Sequence, residues 1–230
     1  AEVLQRLSKA ARVAVDIADK SPTVVGKIAN VTEAGELAAE AISSAHSGGI
    51  MKFGVFQLLH SADKGPAKEI YDNALEQARL ADELGFEGIW LAEHHFSSYG
   101  YSPNPLTFAV KIADQTKQIR IGTAVVVLPL YHPLRLAEEI ALTDQLTDGR
   151  LEVGLGRGYQ RYEFERLGLE LDDSRSMFDE ALEIIQLALT QESFRYEGKY
   201  YQLPETTIFP RPLQQPHPPF WIAAQSPSLS

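Results

Sequence analysis

The chain predicts an α/β fold built on a parallel sheet covered on both faces. Three observations carry that prediction. Its strand-like runs are apolar throughout instead of alternating, as in Gly88-Ile89-Trp90-Leu91-Ala92 and Val125-Val126-Val127-Leu128. Stretches with helical spacing separate them. Polar and glycine-rich residues gather just past the strand ends, at Glu93-His94-His95, Gly156-Arg157-Gly158 and Gln225-Ser226. In parallel α/β folds ligand chemistry collects at the carboxyl ends of the strands, so a site is expected there. Two architectures satisfy the pattern, a doubly wound sheet and a (β/α)8 barrel.

Residues 1–50 stand apart. They are rich in Ala, Ser and Val and hold no Phe, Tyr or Trp. Two short helices are expected near residues 1–20 and 32–44, with Asn30 placed to cap the second and Glu33 completing the box. Ser47-Gly48-Gly49 reads as a linker, and Met51-Lys52-Phe53 as a natural start. The chain therefore divides into a helical extension of unknown role, residues 1–50, and a β/α domain, residues 51–230.

Within that domain Phe53 to Leu59 is a short apolar strand. Pro66 opens a helix, where its missing N–H costs nothing. Ile70, Ala74, Leu75, Ala78, Ala81 and Leu84 keep helical spacing, and Gly85 ends the helix. The strand Gly88 to Ala92 follows, then a helix from about Leu106 to Lys117. Arg120 to Leu128 reads as one continuous β-branched strand stopped by Pro129. A helix spans Leu134 to Leu146 and closes at Asp148-Gly149. Leu151 to Leu155 is the fourth strand. A long polar loop holding Glu163 leads to a helix from Ser176 to Leu189. Residues 194–218 read as a surface hairpin before the fifth strand, Phe220 to Ala224.

Composition narrows the classes of function. The chain is 44% hydrophobic and 23% charged, ordinary for a globular protein. No apolar run approaches the ~20 residues that span a bilayer. A net charge of −10 argues against a nucleic-acid surface. The absence of cysteine excludes disulfides and thiolate metal sites. The charged opening residues lack the apolar stretch of an export signal, so a cytoplasmic location is expected.

Three motifs carry chemistry. Gly154-Leu155-Gly156-Arg157-Gly158 is not the dinucleotide fingerprint, which needs Gly or Ala where Tyr159 stands. It remains either a tight turn or a place where backbone and guanidinium approach an anion. His94 and His95 lack metal-ligand spacing, so no metal is expected. Adjacent side chains on an extended segment point to opposite sides, so at most one of the two faces a site. That one is a candidate general acid or base. Arg175 is either a surface ion-pair residue or a second phosphate-binding arginine beside Arg157.

Taken together, Lys52-Phe53-Gly54-Val55-Phe56, Trp90 to Phe96, Gly122 to Pro129 with His132-Pro133, Asp148-Gly149-Arg150, Gly156-Arg157-Gly158-Tyr159 and Asp173-Ser174-Arg175 closely resemble the bacterial-luciferase-like flavin monooxygenases, in that family's order and spacing. The resemblance covers Met51 to Ser230. It implies a (β/α)8 TIM barrel that binds reduced flavin mononucleotide (FMN) supplied by a separate NAD(P)H:flavin reductase. Oxygen adds at flavin C4a in that family, and the peroxyflavin oxidises an aldehyde or other small organic substrate. His94 matches the family's catalytic base. Ala124-Val125 matches the place of a non-prolyl cis peptide beneath the flavin ring. Arg157 and Arg175 match phosphate-contacting arginines, and Gln225 and Ser226 the phosphate loop after strand five. Glu93 supports the cofactor site. The luciferase catalytic subunit has a glutamate where Gln225 stands and a reactive cysteine where Gly156 stands, so light emission does not follow. Two alternatives on the same fold are a non-catalytic FMN-binding flavoprotein and a deazaflavin-dependent oxidoreductase. A homodimer is the family habit. Residues 51–230 hold five of eight strands and fall short of the ~250 residues of a barrel. The expectation is a piece of a longer gene product or a shortened relative.

Overall fold

In a computed structural model of the protein, residues 53–61 and 64–223 are described. The two helices expected within residues 1–50 lie outside them. The parallel strands are β1 (Gly54–Gln57), β2 (Gly88–Leu91), β3 (Arg120–Thr123), β4 (Val126–Val127), β5 (Leu151–Gly156) and, later in the chain, β8 (Phe220–Ile222). β1 pairs β2, β2 pairs β3, β3 pairs β5, and β5 pairs β8, all in parallel. A doubly wound sheet has a point where strand order reverses. No reversal occurs along this path, so the winding is that of a barrel wall, which decides between the two architectures the sequence left open.

Helices α1 (Ala67–Glu83) and α2 (Pro105–Ala113) cover the first strands, and α3 (Pro133–Leu146) and α5 (Ser174–Thr190) cover β5. Ala78, Ile89, Ile112 and Ile121 anchor one core cluster, and Leu136, Ile140, Leu155 and Ile184 the other, all fully buried. Asn104 caps α2 by accepting from the Thr107 N–H at 2.9 Å, with Pro105 at the first helical position. α2 ends at Ala113, short of the expected Lys117: the Gln115 and Thr116 N–H groups turn to carbonyls three residues back, and the amides after them have another acceptor. The N–H groups of Lys117, Gln118 and Ile119 all donate to the Asp82 carboxylate at 2.7–2.8 Å. Asp82 thus ties the end of α1 to the entry of β3.

The expected strand Arg120–Leu128 is broken in two. β3 ends at Thr123, the Ala124–Val125 peptide is cis, and β4 gives way to a 3-10 turn over Leu128–Leu130. Side-chain chemistry invisible to periodicity makes the break. Fully buried Thr123 donates its hydroxyl to the Gly154 carbonyl at 2.8 Å, and the Ala124 N–H donates to the Leu91 carbonyl at 2.7 Å. Gly154 is required for this approach, since a Cβ there would lie 2.0 Å from the Thr123 oxygen. β5 consequently meets β3 at its start, Ile121 opposite Leu151, and β4 at its end, Val127 opposite Gly156.

The polar loop after β5 contains a short helix, α4 (Arg161–Arg166), and a 3-10 turn over Leu171–Asp173. Phe164 of α4 is fully buried. β6 (Phe194–Glu197) and β7 (Gln202–Thr206) form the expected antiparallel hairpin. Its tip docks on α5: Glu180 accepts from the N–H groups of Lys199, Tyr200 and Tyr201 at 2.8, 3.0 and 3.3 Å. The Tyr200 hydroxyl reaches Asp173 at 2.6 Å. Among the described residues no helix is long and apolar enough to cross a membrane.

Slight burial raises the Asp82 carboxyl, but its three N–H donors and the Arg150 charge outweigh that and hold it below the ordinary value. The stability it contributes is present above about pH 4 and lost as pH falls through the lowered value. Asp82→Asn is expected to cost about 2 kcal/mol at neutral pH. It should also flatten the loss of stability toward pH ~3, read from urea unfolding midpoints. An identical acid slope in both proteins would remove Asp82 from that role.

Candidate active site

The C-terminal ends of β1, β2, β4, β5 and β8 surround a cavity of about 490 Å³. Its deep side is built from the residues that follow β2. The His94 N–H donates to the Ser102 carbonyl at 3.1 Å, and the chain returns so closely that a Cβ on Gly100 would sit 3.0 Å from the His94 Cβ. The His94 ring is buried edge-on against Tyr99, centroids 4.6 Å apart, with Tyr159 at 6.2 Å. Its Nδ1 lies 3.2 Å from Oε1 of Glu163. The same oxygen accepts the His95 backbone N–H at 2.9 Å.

The His95 ring turns the other way, as alternation along an extended segment requires. Its Nε2 lies 2.7 Å from Oε1 of Glu93. Oε2 of Glu93 accepts the Val127 N–H at 3.2 Å, and the Tyr131 hydroxyl also bonds this carboxylate. Glu93 therefore joins the end of β2 to the segment after the cis peptide. Its carboxylate, although on the cavity wall, is taken up by internal partners.

The two buried carboxylates are tuned in opposite directions. Burial pushes the Glu93 carboxyl up, and His95, Val127 and Tyr131 offset this only in part. Burial pushes Glu163 up as well, but the bonds from His94 and the His95 amide, with both imidazole charges, outweigh it and hold the carboxyl low. The bond to Glu93 holds His95 above the ordinary histidine value despite its burial. Burial and the adjacent Glu93 charge drive the Tyr131 hydroxyl far above the usual phenol range.

Ala124 and Val125 form one wall. Gly156 faces them bare, and a Cβ on it would stand 2.5 Å from the Val125 Cγ2. Two guanidinium groups reach the same cavity, Arg157 from the end of β5 and Arg175 from the first turn of α5. Arg175 has only a 4.0 Å contact to Asp179, and Arg157 makes no ion pair among the described residues. No cluster of His, Asp or Glu among those residues is disposed to hold a metal ion.

The luciferase-like monooxygenase family matches residues 51–229. The chain belongs to that family. It is 36% identical over 181 residues to the oxygenase component of the flavin-dependent trigonelline monooxygenase of Acinetobacter baylyi, covering 77% of this chain and 50% of that protein. Among solved structures it is similar to the monooxygenase RslO1 of Streptomyces bottropensis, with TM-score 0.73 and 36% identity over 76% of this chain and 54% of that one. It is also similar to the oxygenating constituent of 3,6-diketocamphane monooxygenase of Pseudomonas putida, a type II Baeyer–Villiger enzyme in complex with FMN. There the TM-score is 0.67 and the identity 26%, over 78% of this chain and 53% of that one. The chain spans about half the length of the curated relatives it matches.

For this luciferase-like chain, the cavity brings together Glu93, His94, Ala124, Val125, Arg157 and Arg175. Gln225 and Ser226 lie outside the described residues. Glu163, Tyr99 and Tyr131 complete the surroundings of the histidines and were not singled out by sequence. Glu163 sits in the six residues of α4, whose only apolar-bodied side chains, Tyr162 and Phe164, are too few to show a readable period. Tyr99 lies in a loop.

The raised His95 value has a consequence for stability. The stabilisation from holding protonated His95 against Glu93 is complete below about pH 6.5 and is lost as pH rises through the raised value. The unfolding free energy is expected to fall as pH rises above about 6.5 through the raised value, and Glu93→Gln should flatten that fall. Urea midpoints across the range measure it. A slope unaffected by the substitution would disprove the assignment.

Proposed function

We propose that the protein acts as the oxygenase component of a two-component system. It binds reduced FMN delivered by a separate reductase and uses O2 to oxidise an aldehyde or another small organic substrate. The observation that carries this reading is one cavity with a buried, carboxylate-held histidine at its closed side and two guanidinium groups with little competing charge on its wall. The name of the Acinetobacter relative, an oxygenase component, supports the separate reductase.

The residues present suit a flavin. Arg157 and Arg175 suit its phosphate, since arginine pairs with phosphate through charge-assisted hydrogen bonds. The apolar faces of Val125, Phe178 and Ile222 suit its flat ring system. Reduced flavin, when bound, supplies the electrons with which O2 is activated. The protein's own contribution is binding, orientation and proton handling. His94 takes or returns a proton at its imidazole, and its burial beside Tyr99 keeps bulk water from competing. The Ala124-Val125 wall, fixed through Thr123 and Glu93, orients whatever lies against it.

His94→Ala is expected to lower oxygen-dependent substrate turnover by about 10²–10⁴-fold while leaving FMN affinity within about threefold. Arg157→Ala and Arg175→Ala should each weaken FMN binding about tenfold or more. Flavin fluorescence titration and oxygen uptake in the complete gene product measure these effects. A binding-only flavoprotein would hold FMN with no turnover for His94→Ala to remove. A protein that neither binds FMN nor consumes oxygen would sink the proposal.

A further inference from the structure

We infer that Glu163 is the positioning residue that fixes His94 as its Nδ1–H tautomer, leaving the Nε2 lone pair to face the cavity. Only the use made of that lone pair rests on the proposed function; the tautomer itself rests on geometry. An ionised carboxylate can accept hydrogen bonds and cannot donate them. Oε1 of Glu163 lies 3.2 Å from Nδ1 of His94, so this contact is a hydrogen bond only if Nδ1 carries the proton. The other tautomer would set two acceptors against each other in a buried place, leaving both without a partner.

The oxygen is not free to move away. The His95 backbone N–H donates to it at 2.9 Å and the Tyr162 hydroxyl at 3.4 Å, so two further donors hold it in place. Glu163 itself is buried to 1% exposure, and its neighbour Phe164, fully buried, pins α4 in place. A Cβ on Gly158 would come within 2.9 Å of the Phe164 ring, so the β5 loop closes directly over that anchor. The carboxyl is also held below its ordinary value, which keeps it ionised and purely an acceptor at neutral pH. Tyr99 packs against the ring edge-on, and Gly100 closes on its Cβ, so the ring is held in this orientation. A base must present a lone pair toward the group that it deprotonates, and the partner on its other ring nitrogen decides which nitrogen does so. Glu163 makes that decision for His94.

The test is two-bond 1H–15N spectroscopy of the imidazoles in the complete protein at pH about 8.5, where an ordinary histidine is neutral. The His94 signals are assigned by difference from His94→Gln. Wild type should show a pyrrole-like shift at Nδ1 and a pyridine-like shift at Nε2. Glu163→Gln should keep that pattern, because the His95 N–H continues to hold an oxygen at the same point. Glu163→Leu and Glu163→Ala should exchange the two shifts toward the Nε2–H form that free imidazole prefers. An Nε2–H tautomer in wild type overturns the inference. So does a pattern that Leu and Ala leave unchanged. Titration of the same samples with oxidised FMN reads the flavin proposal separately. Loss of flavin binding with the tautomer as expected would count against the function and leave the positioning role standing.

Discussion

The constraint on which this site depends is a carboxylate with no solvent to charge it. Glu93 is buried at the end of β2, and every oxygen lone pair it offers must be met from within the protein. It is met by the His95 ring, the Val127 N–H and the Tyr131 hydroxyl, which come from two separate stretches of chain. Each is held where it is because the carboxylate is there. Removing one partner would leave a buried acceptor unmatched, a situation that typically costs a few kcal/mol. The β2 end, the segment after the cis peptide and the start of the loop before α3 are therefore a single unit.

Around that unit the rest of the site is arranged in two halves. The first is polar and fixed: His94, Glu163 and the amide of His95 share one short network inside the wall. The second is apolar and open: Val125, Phe178 and Ile222 line a cavity toward which Arg157 and Arg175 extend. The interior half is rigid because its donors and acceptors are matched and out of water. Among the described residues the charge of the outer half has one ion-pair contact, Arg175 to Asp179 at 4.0 Å. Under the proposed function these halves read as proton handling and cofactor binding.

Much of this was legible in the sequence, for physical reasons. Strands buried on both faces are apolar without alternation, so β2 and β5 could be read directly, and the polar residues after them marked the mouth of the cavity. The divergence of His94 and His95 followed from the two-residue period of extended chain. What periodicity could not show was the break between Thr123 and Val126. Val125, Val126 and Val127 are strand formers, and what interrupts them is the cis Ala124–Val125 peptide flanked by bonds between residues far apart in the chain, Thr123 to Gly154 and Ala124 to Leu91. The same limit hid Glu163. A lone acid in a polar segment reads as a surface residue until a fold buries it beside an imidazole. The end of α2 was misplaced because its terminating acceptor, Asp82, belongs to the preceding helix.

The hairpin tip on α5 has a bearing on how such a protein can be changed. Glu180 gathers three backbone amides of the tip, and Gly198 leaves the space in which it does so, since a Cβ there would meet the carboxylate at 2.2 Å. The tip also grips Asp173, two residues before Arg175. The hairpin thereby ties down the turn that leads into α5, whose first turn carries one of the two cationic arms. Loops of this kind tolerate variation in length and composition that strands do not. Changes at the exposed tip therefore bear on the entry to α5, while Phe194 and Leu203 keep the hairpin's base in the core beside β5.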